Sequence, residues 1–88
     1  MARKKLVLGE EYDHELWARV LTVLRDMGAK VGKMEEQIGG SQIVETVRAR
    51  LGWRNIIVEG ETYMGLSIEG DEADIDAIAA RVAQRQTE

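Results

Sequence analysis

Cysteine is absent from this 88-residue chain, so neither disulfide bonds nor thiolate metal sites can hold its fold together. Proline is absent too, and no helix or strand is interrupted by a residue lacking an N–H. There is no phenylalanine, and the aromatic side chains are Tyr12, Trp17, Trp53 and Tyr63. Stability must therefore come from an aliphatic core, or from completion by a second chain. The single histidine, His14, has no second imidazole with which to complete a zinc set. Long apolar runs are also missing, and no segment approaches the roughly 20 residues that a membrane-spanning helix needs. Behind the basic Arg3-Lys4-Lys5 the apolar run is only Leu6-Val7-Leu8, too short for the core of a signal peptide. A cytoplasmic location is the expectation. A net charge of −4 counts against nonspecific nucleic acid binding and against an anionic membrane surface, so neither is an expected partner.

What is present reads as one folded α+β domain over residues 1–88. The apolar fraction of 44% is that of a globular chain rather than a disordered one. Residues 3–9 alternate around Leu6 and Leu8 and read as a strand. Leu16, Trp17, Val20, Leu21, Val23, Leu24 and Met27 fall on one side of a 3.6-residue period, which predicts a helix. Asp13 suits its N-cap and Gly28 its left-handed stop. At the other end, Met64, Leu66 and Ile68 alternate as a half-buried strand ending at Gly70. Asp71 then caps a second helix, with Asp74 closing a variant capping box and Ile75, Ile78, Ala79 and Val82 as its apolar stripe. Ile56-Ile57-Val58 reads as a central strand.

Residues 41–51 fit two periods. As a helix, Ile43, Val44, Val47 and Leu51 would cluster on one arc between Ser41 and Gly52. As a strand, Ile43, Val47, Ala49 and Leu51 would point inward. The strand is favoured, because Gly39-Gly40 has hairpin-turn composition and because folding about Trp53-Arg54 sets Arg48 opposite Glu59, Ala49 opposite Val58 and Leu51 opposite Ile56.

The resulting order, β-α-β-β-β-β-α, predicts a two-layer sandwich. A largely antiparallel sheet of four or five strands would be covered on one face by two helices. At its two ends, with a strand closing on Gly70-Asp71 before a helix, this outline resembles ferredoxin-like and ACT-like domains. The middle departs from a split β-α-β pattern by carrying extra strand.

No catalytic set emerges. His14 lies among Glu10, Glu11, Asp13 and Glu15, but acids at a helix start are already favoured by its dipole, so no metal is expected. Asp71, Glu72, Asp74 and Asp76 lack the loop glycine and distal glutamate of a calcium loop. None of the glycines has P-loop spacing, although Gly60 and Gly65 lie inside strand-like segments, where glycine marks a bulge or a close approach. Arg48, Arg50, Trp53 and Arg54 form a basic–aromatic cluster with a single stacking platform. Neighbouring Glu59 and Glu61 make it an arginine–glutamate ladder rather than a nucleic acid surface.

The expectation is a non-catalytic interaction module without cofactor, a homodimer or a docking domain for a protein partner. The contact face would carry Val44, Arg48, Arg50, Ile57, Glu59 and Tyr63, with Val7 and Glu61 beside them. The alternative is an ACT-like ligand-sensing domain, which the resemblance would have use the loop Gly9, Glu10, Tyr12 and Asp13.

Overall fold

The computed structural model describes residues 2–86. Strand β1 (Arg3–Gly9) leads through helix α1 (His14–Asp26) to β2 (Lys30–Gly39), β3 (Gln42–Leu51), β4 (Arg54–Glu61) and β5 (Gly65–Asp71), and helix α2 (Glu72–Gln86) follows. The strands form one sheet in the order β1-β5-β4-β3-β2, with every neighbouring pair antiparallel. Three strands separate β1 from β2, where a split β-α-β unit inserts one. The two edges therefore run parallel, and α1 must carry the chain from one to the other. Its 13 residues rise about 20 Å, which matches four strand spacings of about 4.8 Å each.

Residues 42–51 are strand. Two tight turns fix it in place. Gly40 and Gly52 adopt φ of 62° and 66° at the first position of the two-residue turns Gly40-Ser41 and Gly52-Trp53. A left-handed residue there gives the hairpin twist that the flanking strands need. The first turn lies one residue beyond the expected Gly39-Gly40.

The second turn corrects the expected register. Because only Gly52 and Trp53 are spent on it, Leu51 pairs with Arg54, Ala49 with Ile56 and Arg48 with Ile57, while Glu59 lies opposite Thr46. The slip is two residues. Side chains alternate with period two, so every residue keeps its expected face while its partner changes.

Alternate positions Val47 and Ala49 of β3, Ile56 and Val58 of β4, and Leu66 and Ile68 of β5 share one buried cluster with both helices. From α1 come Leu16, Trp17, Val20, Val23 and Leu24, and from α2 Ile75, Ile78 and Val82. Asp13 caps α1 as expected, its carboxylate accepting the Leu16 N–H at 3.0 Å, and Gly28 ends it at φ 89°. Asp74 does not close a capping box. It is nearly buried and takes a bidentate pair of hydrogen bonds from Arg54, at 2.6 and 3.2 Å, tying α2 to the start of β4. That partnership raises the Arg54 pKa, chiefly through the hydrogen bond itself.

Gly60 marks a close approach. A Cβ on it would stand 2.8 Å from Cζ2 of Trp17, so the bare strand is what lets the indole lie against the sheet. The indole N–H donates to the Glu11 carbonyl at 3.0 Å, leaving no unsatisfied polar atom on the buried ring.

Candidate functional site

Alternation assigns the remaining strand side chains to the second face of the sheet. On β3 these are Val44, Thr46, Arg48 and Arg50; on β4, Ile57, Glu59 and Glu61; on β1, Val7. Val44, Ile57 and Glu59 are half-buried there, and Arg48 and Arg50 are exposed. A shallow groove of about 210 Å³ runs over this face, lined by strand residues that include Val44, Arg48, Ile57 and Glu59. Charges border it as ion pairs: Arg48 with Glu35 at 2.8 Å, Lys5 with Glu59 at 3.7 Å and Arg3 with Glu69 at 3.8 Å. The expected ladder is not formed between β3 and β4: Arg48 lies opposite Ile57 and takes its acid from Glu35 on β2, while Glu59 pairs with Lys5 on β1.

Five of the six expected face residues come together in this way. Tyr63 stands apart in the β4–β5 turn, 83% exposed, with a left-handed φ of 69° that an L side chain with a Cβ tolerates poorly. It is the third residue of a β-turn in which the Met64 N–H donates to the Glu61 carbonyl. Tyr63→Gly is expected to raise stability by about 0.5–1 kcal/mol in chemical denaturation, the relief of strain outweighing the entropy of glycine.

The basic–aromatic cluster does not converge. Arg48 is held by Glu35 and Arg54 by Asp74, while Trp53 projects from its turn, 70% exposed, with the Arg54 guanidinium 5.8 Å from its ring centre. At the other end of the sheet, Gly9, Glu10 and Asp13 line a cleft of about 360 Å³ against Leu16, Ala79 and Val82. Tyr12 does not line it. Its phenol is exposed and its pKa is raised, first by the hydrogen bond with Glu10.

His14 is exposed on the first turn of α1, and among the described residues no three His, Asp or Glu side chains are grouped to hold a metal ion. His14→Ala is expected to change stability by no more than about 0.5 kcal/mol, measured by urea unfolding with and without zinc. Among the same residues no helix is long and apolar enough to cross a membrane.

One surface escaped the sequence reading. On the β2–β3 hairpin, Met34, Ile38 and Ile43 are 47%, 69% and 42% exposed, all on the side of the sheet that carries the core. Val31, Met34 and Ile38 stand three and four residues apart, so no strand alternation marks the segment in the sequence. Nothing in the sequence tells that the hairpin outruns its cover. The chain matches no family model, and comparison with curated proteins and with solved structures found no match.

Proposed function

We propose that this domain works by contact and carries no chemistry of its own, self-associating as a homodimer through the second face of its sheet or docking on a protein partner there. In this reading both helices cover one face, in a two-layer sandwich, and the other face is the working surface. The observation that carries it is the groove on this face, where the half-buried apolar side chains of Val44 and Ile57 stand among charges of both signs. Half-buried apolar side chains interleaved with polar and charged ones suit a non-obligate protein contact.

The charges also suit a second copy. Along the strands, Arg48 and Arg50 lie toward one end of the face and Glu59 and Glu61 toward the other. A two-fold axis that reverses the strands brings the basic rows of one copy onto the acidic rows of its mate. Charge reversal tests this. Arg50→Glu and Glu61→Arg are each expected to sediment as monomers, and their equimolar mixture as a heterodimer. Unchanged sedimentation of both variants would reject the face as the contact.

A second reading, a small-ligand sensor, is favoured by the cleft that Gly9, Glu10 and Asp13 form against α2. A thermal-shift screen of amino acids and nucleotides separates the two readings. A true ligand at 100 times its dissociation constant adds about 2.7 kcal/mol.

A further inference from the structure

The register of the β2–β3 hairpin sets two carboxylates against each other. Glu36 lies directly opposite Glu45, between the pairs Met34–Val47 and Ile38–Ile43, of which Met34, Ile38 and Ile43 are exposed, all on the core side of the sheet. Like charges directly opposed across strands destabilise a hairpin. Among the described residues neither carboxylate has an ion-pair or hydrogen-bond partner. Three uncovered apolar side chains flank this uncompensated pair.

The position adds a third property. Strand β2 ends the sheet, so the outward N–H and C=O groups of Met34–Gly39 have no strand beside them. Toward the start of β2 the edge is closed by a bulge, where Gly32 and Lys33 together stand against Arg48. Bulges and lysines are ways of blunting an edge. The stretch beyond the bulge has neither; its charges, Glu35 and Glu36, guard it against apolar and acidic edges but not against a basic segment.

We propose that Met34–Gly39 receives an extended, basic segment of another protein as a sixth strand, its lysine or arginine beside Glu36 and its apolar residues two positions away beside Met34 and Ile38. Main-chain hydrogen bonds along the free edge hold the segment, and the alternating side chains select it. A second copy of this chain does not fit. Its own basic strand is β1, which is paired to β5, with Arg3, Lys4 and Lys5 held by Glu69, Asp76 and Glu59. Pairing β2 with β2 would crowd Glu35 and Glu36 against their counterparts. The inference rests on the domain being an interaction module, but it uses a different surface from the sheet face.

The test is a titration with the peptide acetyl-Thr-Val-Thr-Lys-Thr-Val-Thr-amide, followed by amide chemical shifts and hydrogen exchange on the full chain. Controls carry glutamate, or proline, in place of the lysine. The lysine peptide is expected to shift and protect amides of Met34–Gly39, and to bind at least about tenfold more tightly than the glutamate peptide. Glu36→Lys, which gains Glu45 as a partner and so keeps the fold, is expected to lose the lysine peptide, and Glu36→Lys/Glu45→Lys to prefer the glutamate one. Equal binding of the two peptides, shifts confined to other strands, or no binding at all would overturn the proposal. If the sheet-face variants still alter self-association in that case, the module reading stands and only this strand-addition site falls.

Discussion

Trp17→Ala is expected to cost about 3–5 kcal/mol, the range for removing a buried aromatic side chain from a core. An 88-residue chain has only about 4–13 kcal/mol of stability in all, so the variant should unfold at a much lower urea concentration than the parent chain. The ring is 5% exposed and lies over Gly60, which supplies the bare strand it needs. Gly60→Ala is expected to cost about 1–3 kcal/mol, because its new Cβ would enter the indole's space at 2.8 Å. The two changes should not add. Once the indole is gone, the Cβ at position 60 has no ring to meet, and alanine suits a strand better than glycine does. A double-mutant cycle by urea unfolding should therefore find the Gly60→Ala cost nearly abolished in the Trp17→Ala background. Full additivity would mean that the glycine is needed for the backbone and not for the tryptophan.

Ile57→Asp is expected to abolish self-association, raising the dissociation constant by at least about 100-fold, close to 2.7 kcal/mol. Ile57 is half-buried at the middle strand of the second face, with Arg48 directly across on β3 and Glu69 across on β5. In a contact that covers the groove, a carboxylate there loses its water beside Glu69, while Arg48 across from it is already engaged by Glu35. In the free monomer the same carboxylate remains solvated beside Arg48, so the fold should survive. Circular dichroism and unfolding midpoint close to those of the parent chain, together with monomeric sedimentation, are the combined expectation. An unchanged dimer would move the contact away from the second face.

Much of this architecture is readable from local chemistry. Asp13 and Gly28 frame α1 because capping and left-handed stops depend on single residues, and the period of Leu16 through Met27 leaves its buried side unambiguous. The face of each β3 and β4 residue was legible for the same reason, since alternation survives a slip of two. Register was not legible. It depends on whether a turn spends two residues or four, and Gly52-Trp53-Arg54 allows both until the positive φ of Gly52 is known. Asp74 misled because an acid three residues after Asp71 satisfies the capping pattern, while the arginine that claims it lies 20 residues away in sequence. Glu36 and Glu45 could be opposed only once the Gly40-Ser41 turn was placed. Residue type marked Val44, Arg48, Arg50, Ile57 and Glu59 as one face. The departure of Tyr63 from it follows from the turn that the chain makes between Glu61 and Gly65.

Sedimentation equilibrium of the unmodified chain at micromolar concentration, in low and high salt, tests the central claim most directly. A contact between copies through charged rows predicts a mass approaching twice 9.9 kDa that falls toward the monomer as salt screens the rows. A mass of 9.9 kDa at every concentration and salt level would contradict self-association through the sheet.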